Sequence, residues 1–175
     1  MIIPTIKAKG FILRPFRKGD AASLAKNINA KKIYRYTLHI PYPYTLRHAK
    51  DWIRKSLSEY KKKNPSMINF VIDIDGKLAG SISLGHIISR HQAEAGYWLA
   101  RKHRGMGIMT RALKEVTKFG FNNLKLRRLY LQTFPFNKAS MRVAEKAGYK
   151  FEGVLRKSVK KGNKYIDANL FAKVR

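Results

Sequence analysis

The sequence is short of two kinds of residue, and each shortage excludes something. Its 175 residues include no cysteine, which rules out disulfide bonds, cysteine-ligated metal and a cysteine nucleophile. No apolar run approaches the roughly 18 residues of a membrane-spanning helix, and the opening segment MIIPTIK is too short for a signal peptide. We therefore expect a cytoplasmic protein.

Carboxylates are the second shortage. Only 10 Asp and Glu residues stand against 38 Lys and Arg, which gives a formal net charge of +28. The excess runs through both halves of the chain, so we expect a positive surface that attracts polyanions such as nucleic acid or the ribosome and repels small cations. A source whose proteins are generally basic would produce the same excess without a specific partner, and both explanations stay open.

The order of predicted elements indicates one α+β domain over residues 1–175 with a mixed sheet. Asp20 is the expected N-cap of the first helix, Thr45 of the second and Asn137 of the last. Residues 31–44, rich in tyrosine and interrupted by proline, are predicted to be an irregular loop. The predicted strands are 10–16, 67–74, 77–84, 91–100, 127–134, 149–159 and 164–174, and the predicted helices are 21–29, 45–62, 108–120 and 137–147.

The stretch from residue 93 to residue 121 predicts a strand, a charged glycine turn and an amphipathic helix. Gly105 and Gly107 stand at the mouth of that helix, where the missing Cβ atoms let the backbone approach a ligand and the first N–H groups have no partner. The helix end adds about half a positive charge. The pattern predicts an anion cradle, with a merely structural turn as an equal alternative.

Two motifs in this half of the chain resemble those of a known family. The run from Lys102 to Gly107 resembles the [QR]-x-x-G-x-[GA] signature of the GNAT acyl-CoA-dependent N-acetyltransferases, with Lys102 in place of the usual Gln or Arg. A second set of residues is similar to the N-x-x-S, EKxGF and EG-x-x-R motifs of the GNAT branch that contains the ribosomal-protein N-terminal acetyltransferases. These are residues 137–140, 145–149 and 151–156. The resemblance implies the GNAT fold, a twisted, mostly antiparallel sheet of about seven strands with about four helices. It also implies that the strands 93–100 and 127–134 splay apart to admit the acyl-CoA arm.

The same resemblance implies the residues of the site. Acetyl-CoA is the expected co-substrate, no metal is expected, and Ser140 is the expected proton donor because Ala144 stands where many members have a tyrosine. Glu94 is the first candidate for the general base and Glu152 the next, although either could instead form an ion pair in so basic a protein. The residues expected to bind the co-substrate are Leu99, Ala100, Arg101, Lys102, Arg104, Gly105, Met106, Gly107, Ile108, Met109, Asn137 and Ser140.

Together these features predict direct acetyl transfer to a primary amine, favouring the N-terminal amine of a protein such as a ribosomal protein. An α-amine with a pKa near 8 costs about 3 kcal/mol less to deprotonate than a lysine, which suits a site with weak base candidates. A small-molecule amine acetyltransferase is an alternative, with polyamines disfavoured by like charge. A basic nucleic-acid-binding protein that keeps the fold without catalysis is another. Monomer and homodimer both stay open.

Overall fold

The computed structural model describes residues 2–175, and all of its strands belong to one sheet. The strand order is β1-β2-β3-β4-β5-β6-β8-β7, and every neighbouring pair is antiparallel except β5 with β6. The strands are β1 Ile6–Ala8, β2 Phe11–Arg14, β3 Ile68–Ile74, β4 Lys77–Ile88, β5 Gln92–Leu99, β6 Arg128–Thr133, β7 Lys150–Lys161 and β8 Lys164–Val174. The helices are α1 Ala21–Ile28, α2 Lys31–Tyr36, α3 Leu46–Lys61, α4 Ile108–Asn122 and α5 Lys138–Lys146.

Apolar side chains cover both faces of the sheet, and β3 shows how. Phe70 and Ile72 belong to the larger cluster, which includes the buried face of α4. Val71, between them in sequence, packs in the other cluster with residues of α1 and α3. Because successive side chains of a strand point to opposite faces, a strand covered by helices on both sides is apolar throughout, and β3 has no exposed position.

Local signals fixed several elements as predicted. Asp75 and Gly76 join β3 to β4 with φ of 51° and 75°, the left-handed pair of a tight hairpin turn. Thr45 caps α3 by accepting a hydrogen bond from the His48 N–H at 3.3 Å, and Asn137 caps α5 through its side chain. None of the described helices is long and apolar enough to cross a membrane.

Three details of the N-terminal part differ from the prediction. The short strand β1 was not predicted, and residues 31–36 of the expected loop form α2. Asp20 lies at the N-cap position of α1 but its carboxylate does not bond the helix. Instead it accepts two hydrogen bonds of 2.8 Å from the buried Arg14 guanidinium, which also reaches Asp73 at 2.6 Å. A bidentate charged pair is stronger than an N-cap bond to a neutral amide, so the ion pair takes the carboxylate.

A wedge between β5 and β6 is the feature that positions the site. The two strands pair only at Gln92, Ala93 and Glu94 of β5. Beyond Glu94, β5 continues along β4 as far as Leu99, while β6 turns to follow β8. The strands therefore splay as predicted, and the facing edges of the wedge carry backbone groups that no neighbouring strand satisfies.

Candidate active site

The wedge opens into a cleft of about 1170 Å³. Its walls are the splayed ends of β5 and β6, the N-terminus of α4, one side of α5, and α2 with the segment that follows it. A volume of this size is somewhat above the usual range for small-molecule sites, which is about 300–1,000 Å³. The elements that converge here are far apart in sequence, so the cleft exists only in the folded chain.

The glycine turn forms one end of the cleft. Gly105 and Gly107 have φ of 81° and 69°, in the left-handed region that other residues adopt only with strain. The first hydrogen bond of α4 runs from the Arg111 N–H to the Gly107 carbonyl at 3.1 Å, so the preceding N–H groups of the helix have no intrahelical acceptor. A Cβ added at Gly107 would lie 3.1 Å from Arg111 Nη1. The turn is thus a backbone cradle that a side chain would fill.

Two arginines flank this cradle. Arg104 donates from Nε to the Leu99 carbonyl at 2.9 Å, and burial, followed by the nearby charge of Arg101, lowers the pKa of its guanidinium. Arg111 donates from Nη1 to the Met106 carbonyl at 3.2 Å, while its Nε is buried and has no hydrogen-bond partner within residues 2–175. Free N–H groups beside fixed positive charge are what a phosphate group requires.

Arg111 was missed by sequence reasoning, although one signal was present. A cation in the first turn of a helix is unfavourable because that end of the helix is itself positive. Such a residue is explained when an anion binds between the side chain and the helix end. The anomaly could therefore have identified Arg111 from the sequence.

The structure brings most of the predicted co-substrate residues together. Ala100 is buried, and its N–H already donates to the Ala79 carbonyl at 2.9 Å. Met106 is 61% exposed, and Arg101 and Lys102 are exposed as well; none of these four is among the residues that line the cleft. The predicted residues that do line it are Leu99, Arg104, Gly105, Gly107, Ile108, Met109, Asn137 and Ser140.

A pair of hydroxyl groups lies where β5 faces α5. The Asn137 side chain accepts a hydrogen bond from the Ser140 N–H at 3.3 Å and so fixes the first turn of α5. Ser140 Oγ then lies 2.9 Å from the Tyr97 hydroxyl. Burial raises the pKa of the Tyr97 phenol to about 12. Tyr97 was not predicted, because no local pattern links it to a residue on a later helix.

The two candidate carboxylates have different surroundings. Glu94 lines the cleft at the apex of the wedge, and burial raises the pKa of its carboxyl group. His86 Nε2 is 3.8 Å from it. Glu152 does not line the cleft; Arg128 donates to both of its oxygens, and this lowers the pKa of Glu152. Only Glu94 is therefore placed to act on a molecule in the cleft.

A splayed parallel strand pair with a phosphate cradle at one end and hydroxyl groups along one wall defines a site for a long, phosphate-bearing carrier molecule. Residues 11–150 match the family model described as Acetyltransferase (GNAT) domain. The chain belongs to this family and is an acetyltransferase that uses acetyl-CoA. The glycine cradle, which has open space at the Cβ position of Gly105, fits the phosphates of that co-substrate.

Curated relatives show different acceptors within the family. The chain is 38% identical over 125 residues to the Probable N-acetyltransferase YjcK of Bacillus subtilis, covering 68% of this chain and 69% of that one. It is 33% identical over 106 residues to the ribosomal-protein-serine acetyltransferase of Escherichia coli K12, covering 60% and 59%. It is 28% identical over 144 residues to the spermidine N(1)-acetyltransferase of the same organism, covering 82% and 74%.

Solved structures agree on the fold. The RimJ protein of Mycobacterium smegmatis in complex with CoA-disulfide has a TM-score of 0.82 at 26% identity, covering 98% of this chain and 85% of that one. RimL, an acetyltransferase of ribosomal L7/L12 solved in complex with coenzyme A, has a TM-score of 0.88 at 20% identity, covering 98% of both chains. The predicted GNAT fold is confirmed, with eight strands and five helices among residues 2–175 where about seven and about four were expected.

Proposed function

We propose that this enzyme acetylates the N-terminal α-amine of a protein, such as a ribosomal protein, by direct attack of the amine on acetyl-CoA. The observation that carries the proposal is the charge of the cleft wall. Among residues 2–175, Glu94 is the only carboxylate that lines the cleft. The other ionisable groups there, apart from histidines and tyrosines, are the cationic Lys32, Arg104, Arg111, Arg142 and Lys146.

The glycine turn and α5 would hold the co-substrate. The backbone N–H groups after Gly107 and the guanidinium of Arg111 face the cradle, where they would bind the phosphates. Asn137, whose side chain also caps α5, would contact the arm that lies in the wedge. Bound acetyl-CoA supplies a thioester carbonyl for the amine to attack. No covalent intermediate with the enzyme is needed.

Glu94 is the candidate that takes the proton from the amine. Its burial raises the pKa of the carboxyl group, which makes the carboxylate a better base than an exposed one. One such group still cannot deprotonate a lysine ammonium easily, since a pKa near 10.4 lies about 3 kcal/mol from that of an α-amine. Ser140 is the candidate hydrogen-bond donor to the sulfur that departs. These roles favour an acceptor that is already partly neutral.

A polyamine acceptor suits this cleft poorly, even though one relative acts on spermidine. A molecule with several positive charges needs several carboxylates around it, and within residues 2–175 the lining of this cleft provides one, Glu94. A protein N-terminus carries a single positive charge, which it loses near neutral pH. The relationship to ribosomal-protein acetyltransferases supports the same choice.

A competition experiment tests the proposal. The enzyme and labelled acetyl-CoA are offered peptides with a free N-terminus and no lysine, the same peptides with a blocked N-terminus and one lysine, and spermidine. We expect acetylation of the first set to exceed the others by at least tenfold. Equal or faster acetylation of spermidine would overturn the assignment of the acceptor. Binding of RNA without acetylation of any amine would favour the alternative of a nucleic-acid-binding protein.

A further inference from the structure

Tyr97 and Ser140 are in contact in the cleft wall although they belong to different secondary-structure elements. Tyr97 comes from β5 and Ser140 from the first turn of α5. The phenol oxygen lies 2.9 Å from Ser140 Oγ and 3.3 Å from the Ser140 carbonyl oxygen. Both residues line the cleft. The phenol is therefore the side chain in hydrogen-bond contact with the serine hydroxyl.

A serine hydroxyl has one hydrogen to donate, so the direction of this hydrogen bond matters. If Ser140 donates to Tyr97, its hydrogen is used within the protein. If Tyr97 donates to Ser140 Oγ, the serine hydrogen is free to point into the cleft. Burial raises the pKa of Tyr97 to about 12, so the phenol keeps its proton at neutral pH and can act as the donor.

We propose that Tyr97 is a positioning residue that turns the Ser140 hydroxyl hydrogen toward the sulfur of the bound thioester. The inference rests on the proposed function, because it needs acetyl-CoA in this cleft. In the reaction the C–N bond forms, the C–S bond breaks and its electron pair goes to sulfur. The surplus proton of the amine passes to Glu94. Ser140 donates a hydrogen bond to the sulfur and keeps its proton.

Ser140 needs a hydrogen-bond partner because its hydroxyl could otherwise bond to the helix backbone. A serine in a helix tends to donate back to the carbonyl group three or four residues earlier, and in that arrangement its hydrogen is lost to the cleft. The phenol of Tyr97 lies 2.9 Å from Ser140 Oγ, and either oxygen can be the donor. In the proposed arrangement the phenol donates to Ser140 Oγ rather than to the more distant Ser140 carbonyl oxygen at 3.3 Å. Tyr97 thereby supplies a phenol to α5 from strand β5. The helix α5 itself has Ala144, not a tyrosine, one turn after Ser140.

Tyr149 provides a matched control. Its side chain is buried, its hydroxyl lies 2.8 Å from Thr117 Oγ1, and burial raises its pKa to about 12. It does not line the cleft. Tyr149→Phe and Tyr97→Phe therefore remove the same group from a similar hydroxyl contact, and a purely structural role for Tyr97 predicts similar behaviour of the two variants.

The first measurement is of binding, by calorimetry with coenzyme A and with desulfo-coenzyme A. At a pH above the pKa of the coenzyme A thiol, we expect the wild type and Tyr149→Phe to bind coenzyme A more tightly than desulfo-coenzyme A, by roughly ten- to hundredfold in Kd. This ratio corresponds to the strength of a hydrogen bond to a charged group. Tyr97→Phe and Ser140→Ala should lose most of this preference while binding desulfo-coenzyme A normally. Retention of the full preference by Tyr97→Phe would overturn the inference.

The second measurement is kinetic. Tyr97→Phe should lower kcat by about tenfold or more with little change in KM for acetyl-CoA, and it should lower kcat no further in a Ser140→Ala background, since residues that act as a unit are not additive. Equal losses in both backgrounds, or an equal loss in Tyr149→Phe, would refute a role through Ser140. If the wild type binds neither ligand, the proposed function itself fails, and this inference with it.

Discussion

Substitutions at Gly107 separate the cost of backbone strain from the cost of filling the cradle. Gly107 has φ of 69°, and its added Cβ would lie 3.1 Å from the flexible end of Arg111. Alanine in this conformation costs about 1–2 kcal/mol, which for a chain of this size lowers Tm by roughly 2–8 °C. Aspartate costs less, because its side chain tolerates the left-handed region and its charge suits a helix N-terminus.

For acetyl-CoA affinity the order should reverse. A carboxylate about 4 Å from a phosphate charge costs about 4 kcal/mol at an effective dielectric constant near 20, which weakens Kd by roughly a thousandfold. The methyl group of alanine is uncharged and should weaken binding much less. We therefore predict that Gly107→Asp is the more stable variant and Gly107→Ala the tighter binder. Two effects with opposite orders cannot both come from general damage to the fold.

The assay is thermal unfolding with and without acetyl-CoA, together with calorimetric Kd values. The wild type at a hundred times Kd should gain about 2.7 kcal/mol, or roughly 5–11 °C. Gly76 is the matched control, since it has φ of 75° with open space at its Cβ position, lies in the β3–β4 turn and does not line the cleft. Gly76→Asp should keep the full shift that Gly107→Asp loses. If Gly107→Asp binds acetyl-CoA as the wild type does, the cradle does not bind the phosphates.

Three further predictions follow from individual groups. Glu94→Gln should lower kcat/KM by about a hundredfold or more without lowering Tm at pH 8. The pKa of Glu94 is raised in the folded chain, so the wild type loses stability as pH rises through that pKa, and glutamine abolishes this loss. A lower Tm of the variant would contradict this reasoning. Thr133→Val should raise the Tm of the free enzyme by roughly 2–4 °C. The buried Oγ1 has no hydrogen-bond partner in the described part of the chain, and its removal relieves about 1 kcal/mol; an unchanged or lower Tm would count against this reasoning. Arg14→Leu should lower the free energy of unfolding by about 3–5 kcal/mol, because it leaves the buried carboxylates of Asp20 and Asp73 without their cation. Chemical denaturation should show a smaller decrease at acid pH, where the carboxylates are protonated. A decrease that does not depend on pH would exclude this cause.

The site shows which of its parts a sequence can reveal. Gly105 and Gly107 were recognisable because their role is in the local backbone, and Asn137 because a helix cap acts within three residues. Glu94 was placed ahead of Glu152 as a candidate base, but for either one the sequence left an ion pair open as an alternative. Glu94 is half-buried at the apex of the wedge, whereas Glu152 is held by Arg128, 24 residues away in the sequence.

The N-terminal part shows the same division. The predicted cap at Asp20 followed a correct local rule, but Arg14 and Asp73 competed for the carboxylate, and Asp73 arrives from a distant strand. The helix α2 was missed because its six residues have no side-chain cap. The ammonium group of Lys161, at the tip of the last hairpin, donates to the carbonyl groups of Tyr34 and Thr37. Contacts across the fold support this helix where the local sequence does not.

The sequence by itself determined most of the strands and helices, the caps at Thr45 and Asn137, the positive charge and the family, because each of these depends on residues within a few positions of one another or on composition. The tertiary structure decided the pairing of Tyr97 with Ser140, the unpaired nitrogen of Arg111 and the isolation of Glu94. These depend on where β5 and β6 part and on which side chains then share the gap. Burial and contact between distant residues arise only when the chain is packed, and in this protein they decide which groups can reach a molecule in the cleft.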